Sequence, residues 1–268
     1  MSGALHVRLL TADAAHPLLA ATAALLRAAG HLVDSQHPTG PPPPGLPDVC
    51  LLKARTPAAL DRAAWWEAAG VPVVNGVAAT AFCQHRQQMA DRAAAAGLPF
   101  APTRTAGTAD LPALLADGPL VVKSLHSRRG DLVAAVRGPA DARRLADAWP
   151  DEPVVVQPLA PSDGWDVKLW VVDGEVFAER RRSELAAGPA AARVPLSAAD
   201  LPAAWRGLAH AAGEAFGLDV YGVDLLDAPD GPLIVDVNAF PGIRGQAGAP
   251  AALAALALAR AGSPARIR

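Results

Sequence analysis

Apolar positions in the first 75 residues fall in short runs separated by amphipathic stretches. LHVRLL, HLVD, DVCLL and VPVVN have the length and apolar content of buried strands. Pro17 to Ala29 reads as a helix that stops at Gly30, and Pro57 to Ala69 as a helix opened by its proline. His37 to Pro47, with consecutive prolines from Pro41 to Pro44, reads as a rigid loop. This alternation predicts a small parallel sheet with helices on its faces.

The pattern then changes. Ala78 to Ala96 reads as one longer helix ending at Gly97, followed by the extended connector LPFAPT. PLVVKSL, LVAAV, VVVQPL, DVKLWVV and EVFAERR are short strands, with helices at Ala140–Trp149 and Ala198–Phe216. VYGVDLLDA and PLIVDVNAF are the last strands, and a terminal helix starts near Ala249. Strands and helices without strict alternation predict an α+β region after the α/β start.

Composition narrows the function. Apolar residues make up 51% and charged residues 19%, enough for a buried core and too apolar for a disordered chain. The net charge of −2 gives no basic field for nucleic acid. Two cysteines without a C-x-x-C spacing argue against a disulfide framework or a structural zinc, and favour a reducing, cytoplasmic location. MSGALHVRLL lacks the build of a signal peptide, and the tract from Ala249 to Ala259 is too short to span a bilayer, so no membrane partner is expected. The common phosphate-loop, dinucleotide, zinc-protease and serine-hydrolase motifs are absent from the sequence. Lysine occurs only at Lys53, Lys123 and Lys168 while arginine is abundant, a skew that with the heavy alanine and proline use reads as the coding bias of a GC-rich genome.

The most informative segment is YGVDLLDAPDGPLIVDVNAFPG. DAPDGP is a turn between two apolar runs, so the segment is a hairpin. A hairpin symmetric about Asp230 sets Asp224 opposite Asp236, and alternation adds Asn238 to the same face. Like charges directly opposite each other destabilise a strand pair. A hard divalent cation held by carboxylate and amide oxygens would offset that repulsion, and Mg²⁺ shared with phosphate needs few protein ligands. An ordinary hairpin with a solvated acidic side is the simpler reading of this segment alone, and a bulge would change the pairing.

GVDLL, a turn and VDVNAFPG resemble the closing hairpin of the ATP-grasp superfamily. VVKSL resembles that family's lysine strand, VVVQPL its hinge strand, and DVKLWVVDGEVFAERRRS the strand pair after the hinge. FCQHRQQMADRAAAAGLPFAPT resembles the helix and connector before the grasp. The nearest patterns are those of RimK-like amino-acid ligases and of the inositol-polyphosphate 5/6-kinase branch. The resemblance covers roughly residues 75–260. It implies a small N-terminal α/β lobe over residues 1–75, a central lobe over 76–160, and a C-terminal lobe over 161–268 that carries the hairpin. Two of these sheet-containing lobes would clamp ATP.

The resemblance also assigns roles. Asp224, Asp236 and Asn238 would hold one or two Mg²⁺ ions, with Mn²⁺ as a substitute. Lys123 would contact the ATP phosphates, joined by Arg86 where many relatives have lysine. Gln157, Pro158 and Leu159 would meet adenine, mainly through backbone groups. Asp166 and Lys168 match the usual acidic–basic pair, with Lys168 stabilising charge at the γ-phosphate. Arg180 would clamp phosphate or intermediate, and Arg244 would reach the acceptor. The loop after Lys123 has one glycine, Gly130, where relatives are glycine-rich, so His126, Arg128 and Arg129 would supply side-chain donors.

Plainer roles stand beside these. A lysine at a strand end is ordinarily solvated, Lys168, which alternates with Asp166 and Trp170 on one strand face, could form a cross-strand salt bridge, and Arg180–Arg182 could be a solvated face. His126 is more simply a loop residue, Trp65 and Trp66 packing residues or a dimer contact, and Cys83 is not expected to act as a nucleophile. The first functional reading is an ATP-dependent carboxylate–amine ligase with small-molecule or peptide substrates. The alternatives are a phosphotransferase acting on a hydroxyl, favoured by the basic loop and the RRRS segment, and a nonenzymatic ATP-binding module. The resemblance also allows a homodimer.

Overall fold

A computed structural model describes residues 3–41, 43–186, 193–197 and 199–262, so Pro42 of the proline run and Ala198 of the expected helix lie outside the described residues. The first lobe comprises β1 (His6–Thr11), α1 (Pro17–Ala28), β2 (Leu32–Gln36), β3 (Val49–Lys53), α2 (Pro57–Ala68) and β4 (Val73–Val74). Its four strands pair in parallel in the order β2-β1-β3-β4. Leu18, Leu19, Ala23 and Leu26 of α1 bury against Val7, Leu9 and Leu51 on one face. Ala59, Ala63 and Trp66 of α2 cover Leu10, Cys50 and Leu52 on the other. Arg8 is buried there, with its guanidinium on both Asp34 oxygens at 2.8 and 2.6 Å and 5.7 Å from the Trp66 ring. Trp66 thus packs, whereas the neighbouring Trp65 is 59% exposed.

The long helix expected over Ala78–Ala96 is two helices, α3 (Val77–Phe82) and α4 (Arg86–Ala95). The break needs no proline or glycine. His85 takes an extended conformation, and its ring nitrogen accepts the Gln88 N–H at 3.3 Å as a helix cap. The loop after the lysine strand pairs with the break: Arg86 N–H donates to the Leu125 carbonyl at 2.9 Å, and Ser127 N–H to the Gln84 carbonyl at 2.8 Å. Long-range pairing outweighs local helix propensity, and it starts α4 with Arg86 in the cleft.

The central lobe comprises β5 (Arg104–Gly107), α5 (Leu111–Leu114), β6 (Leu120–Ser124), β7 (Val133–Val136), α6 (Pro139–Ala148) and β8 (Pro153–Pro158). Its antiparallel order is β5-β8-β6-β7. Val122, Val154, Val156, Leu111 and Ala142 close its core.

The remaining elements are β9 (Trp165–Val172), β10 (Glu175–Arg182), β11 (Arg193–Leu196), α7 (Ala203–Phe216), β12 (Val220–Ala228), β13 (Gly231–Ala239) and α8 (Ala249–Ala261). The antiparallel order is β11-β10-β9-β12-β13. α7 begins at Ala203, after Pro202, later than the sequence pattern suggested. It ends at Gly217, whose φ of +64° is a left-handed conformation that glycine adopts without a Cβ clash. α4 and α7 bury Val167, Leu169, Val171 and Val223 on one side of this sheet. On the other side Trp170, Val172 and Phe240 share a core with β1, α1 and α8. The last helix therefore packs beside the first one.

Asn75 fastens these parts together. Its buried amide accepts the N–H groups of Asp219 and Val220 at 2.9 and 2.8 Å and donates to the Val220 carbonyl at 2.6 Å. Removing three bonds to buried backbone groups costs about 3 kcal/mol.

Candidate active site

The face of the five-stranded sheet away from α7 carries the polar residues. Asp224 pairs with Asp236, and Gly222 with Asn238, so Asp224, Asp236 and Asn238 share this face. The hairpin reaches that register differently from the symmetric expectation. Its turn is tight, pairing Ala228 with Gly231 and Leu225 with Ile234. Val235 is then an extra residue, and the register shift there brings Asp236 opposite Asp224. The bulge creates the pairing that a perfectly regular hairpin with this turn would miss by one residue.

The bulge is also where two lobes meet. The Val235 carbonyl accepts a 2.7 Å hydrogen bond from Lys123 Nζ on β6. Next to it, Ile234 pairs with the connector: Ala101 N–H donates to the Ile234 carbonyl, and Ile234 N–H to the Pro99 carbonyl, both at 2.8 Å. Burial pushes the Lys123 pKa down; the nearby Asp236 charge opposes that shift and Arg86 adds to it. Arg86 Nη1 donates to the Ser124 carbonyl and to Asp131 Oδ2, each at 2.8 Å, while Nη2 lies 3.7 Å from Asp236 Oδ2. Lys123, from β6 of the facing lobe, and Arg86, from the start of α4, thus place two cations beside the hairpin carboxylates.

Lys168 on β9 pairs with Asp224 across the strands, and its ammonium forms an ion pair with that carboxylate. The like-charge repulsion across the hairpin is therefore offset by Lys168 on one carboxylate and Arg86 near the other. Protein cations supply here what the sequence pattern attributed to a metal. The donor set still fits Mg²⁺: two carboxylates and an amide oxygen on one face suit a hard cation that shares its remaining positions with phosphate and water. Among the described residues no group of three or more His, Cys, Asp or Glu forms a metal cage. A metal here needs Asn238 and ligands from outside the protein.

Register decides which arginine joins this face. Lys168 pairs with Glu179, and Asp166 with Arg181, so odd positions of β10 share a face with even positions of β9. Arg180 lies on the other face, where its Nη2 donates to Asp163 Oδ2 at 2.6 Å and its guanidinium sits 5.8 Å from the Trp165 ring. The structure does not bring Arg180 to the site and puts Arg181 there. Arg181 Nε is 3.8 Å from Asp166, whose pKa is raised because burial outweighs its Ser183 and Arg181 contacts. Arg193, from β11, pairs with the buried Glu179 at 3.2 Å. A cavity of about 240 Å³ lies among Lys168, Glu179, Arg181, Arg193, Asp224 and Asn238, and Arg244 also lines it. Gly222 keeps it open, since a Cβ there would lie 3.2 Å from Pro241 and 3.4 Å from Trp170.

The hinge residues sit at the end of β8. Gln157 is buried and donates to Thr103 Oγ1 at 2.9 Å, whereas Pro158 is exposed. Leu159 N–H donates to the Pro119 carbonyl at 2.9 Å, so a base at this edge would have to replace that bond or use the neighbouring carbonyls. In the loop after β6, Arg128 forms an ion pair with Glu152 at 2.7 Å, and Ser127 Oγ accepts from Arg55 at 3.1 Å. His126 is exposed and stacks edge-on to His85, with ring centres 4.9 Å apart, and Arg129 is exposed. Cys83 is buried, which pushes its thiol up to about 12 and keeps it from being a nucleophile.

Sequence reasoning missed Glu179, Arg193 and Asp131. Parity between β9 and β10 is the signal that could have found Glu179. Nothing local marks Arg193, because β11 is a four-residue strand with a proline in it.

Comparison with known proteins gives a consistent result. A family model described as "RimK-like ATP-grasp domain" matches residues 106–255. A probable alpha-L-glutamate ligase of Klebsiella pneumoniae (strain 342) is 36% identical over 149 residues, covering 52% of this chain and 48% of that protein. A ribosomal protein bS6–L-glutamate ligase of Salmonella paratyphi B is 34% identical over the same share of each chain. The aligned part spans about half the length of these curated relatives. The crystal structure of a RimK domain ATP-grasp protein from Sphaerobacter thermophilus superposes with a TM-score of 0.76 at 25% identity, covering 94% of this chain and 99% of that one. The fold is the ATP-grasp fold, and among the described residues no helix is long and apolar enough to cross a membrane.

Proposed function

The chain belongs to the RimK-like ATP-grasp family, and from that premise we propose that it joins a carboxylate to an amine at the expense of ATP. The observation that carries this reading is the pairing of Asp224 with Asp236 on one sheet, met by Lys123 from β6 of the central lobe and by Arg86 from the start of α4. Such a cleft can neutralise a polyphosphate from both sides. Mg²⁺ held by Asp224, Asp236 and Asn238 would supply further neutralisation of phosphate charge.

The chemistry balances in two steps. A carboxylate oxygen bonds to the γ-phosphorus as the bond to the bridging oxygen breaks, giving an acyl phosphate and ADP. The amine nitrogen then bonds to the acyl carbon as the carbon–oxygen bond to phosphate breaks, and the amine proton leaves to solvent. The protein's share is positioning and charge neutralisation. Lys123 and Arg86 hold the phosphate side. Lys168, already facing Asp224, stands where charge grows at the transferred group. Arg181, Arg193 and Arg244 line the cavity that an acyl phosphate would enter. Arg86 keeps a buried Nε without a partner, which leaves a donor for a ligand oxygen. Gln157 and the carbonyls around it remain the part of the hinge suited to adenine.

The relatives' names make L-glutamate the first amine to try, and a peptide or small-molecule carboxylate the partner. Transfer to a hydroxyl draws its support from the basic loop and the RRRS segment; Arg128 of the loop is paired with Glu152, and Arg181 of the segment lies 3.8 Å from Asp166. The test is to incubate the protein with Mg·ATP and pooled carboxylates and amines, measuring ADP and phosphate together. Equal acceptor-dependent ADP and phosphate with a new amide mass are expected. ADP without phosphate and a product heavier by one phosphoryl group would overturn the ligase reading in favour of a kinase. Tight ATP binding without turnover would favour a binding module.

A further inference from the structure

A second cavity, of about 350 Å³, lies on the other side of the Asn238–Gly242 segment. Lys53 and Arg55 enter it from the end of β3, Thr80 from α3, and Asn238 separates it from the first cavity. Lys53 Nζ donates to the Phe240 and Pro241 carbonyls, both at 3.2 Å. Among the described residues, no Asp or Glu lines this cavity. Thr80 is only 3% exposed, yet its hydroxyl has no hydrogen-bond partner. A buried hydroxyl without a partner costs about 1–3 kcal/mol, so its retention in a cavity that Lys53 also lines needs a reason. The charges of Arg244 and Asp13 also reach Lys53, and that of Lys53 reaches His16. A small oxyanion fits this set: charge from Lys53 and Arg55, a hydrogen bond from Thr80.

Two oxyanions could come here, the terminal phosphate of the nucleotide or a carboxylate of a substrate. The phosphate side already has Lys123, Arg86 and the acidic hairpin. A carboxylate gripped by an ammonium and a hydroxyl has its lone pairs engaged and is a poor nucleophile. Resting on the ligase reading above, we propose that this cavity holds a carboxylate that does not react, the free carboxylate of the amine substrate, with Lys53, Arg55 and Thr80 as its specificity-determining residues. The amine would then be an amino acid or a peptide with a free C-terminus. Held this way, its nitrogen can approach the acyl carbon past Asn238 while its own carboxylate stays out of reach of the γ-phosphorus.

The test is calorimetric binding to the full chain loaded with Mg·AMP-PNP. The probes are the common L-amino acids and, for each that binds, its carboxamide, which keeps the amine and loses the charge. At least one amino acid should bind, and its amide should bind about tenfold more weakly or worse. Thr80→Val, which keeps the shape, should weaken the acid by roughly threefold or more. Lys53→Met should weaken it by about tenfold, with Mg·AMP-PNP affinity unchanged in both variants. Thr80→Val carries the test if Lys53→Met fails to fold. The proposal is overturned if no amino acid binds or if acid and amide bind alike. It is also overturned if the variants weaken Mg·AMP-PNP instead, which would give the cavity to phosphate. Amide formation without acid-over-amide discrimination would remove this subsite alone. Intact discrimination with no amide product in the pooled assay would remove the ligase reading alone.

Discussion

The two cavities flanking Asn238–Gly242 differ in how their charges are used. In the first, Lys168, Arg181 and Arg193 each face a carboxylate of the same sheet: Asp224, Asp166 and Glu179. In the second, Lys53 donates to two backbone carbonyls and lies 5.6 Å from the Phe240 ring, and the buried Thr80 hydroxyl has no hydrogen-bond partner among the described residues. The first site is neutralised from within and must exchange partners to admit a metal and phosphate. The second is set for an anion as it stands. Catalytic groups that change partners during a reaction belong in the first kind of site, and groups that only hold a substrate belong in the second.

The largest effect should come from the carboxylate with two neighbouring cations. Asp236→Asn should reduce ATP-dependent turnover roughly a hundredfold or more, read as ADP formation. A variant with near-normal turnover would move the phosphate site elsewhere.

Next in size is the internal neutralisation. Lys168→Met leaves Asp224 opposite Asp236 without its ammonium, and both side chains of the lost pair are mostly buried. Stability should fall by about 2 kcal/mol. Added Mg²⁺ should raise the melting temperature of this variant more than that of the wild type. An unchanged melting point would mean that the ion pair contributes nothing, and the contrast between the cavities would lose one side.

Register then separates neighbouring arginines. Arg181→Gln should cost about tenfold in kcat/KM, and Arg180→Gln little, because only Arg181 faces the cavity. The reverse order would contradict the face assignment.

An effect of similar size, reached by pH alone, is expected in the second cavity. Burial, with Arg55 and Arg244 nearby, lowers the Lys53 pKa to about 8, while Asp13 opposes that shift; His16 also faces it. The ammonium is present below that pH and lost above it. Affinity for a carboxylate should fall by roughly tenfold between about pH 7 and 9. Lys53→Arg, charged throughout, should flatten that slope. Identical slopes in both proteins would sink the role of Lys53.

Much of this site could be read from residue order, because chemistry concentrated in one hairpin is a local signal. Asp224, Asp236 and Asn238 follow from a turn and a period of two. Even there the register rests on a bulge at Val235 that no turn rule announces. What the chain alone concealed depends on pairing between distant strands. Arg180 and Arg181 are adjacent, and only the alignment of β10 with β9 tells which one faces Asp224. The split of the expected helix at His85 comes from a loop some forty residues on, and Thr80 gains meaning only when Lys53 and Asn238 are brought beside it.

The most direct test of the central claim follows one oxygen atom. Once the pooled assay has identified a carboxylate substrate, that substrate is supplied with oxygen-18 in its carboxyl group and the released phosphate is weighed by mass spectrometry. An acyl phosphate requires one labelled oxygen to leave with each phosphate formed. Phosphate without label, or ADP formed with no phosphate released, would contradict the account.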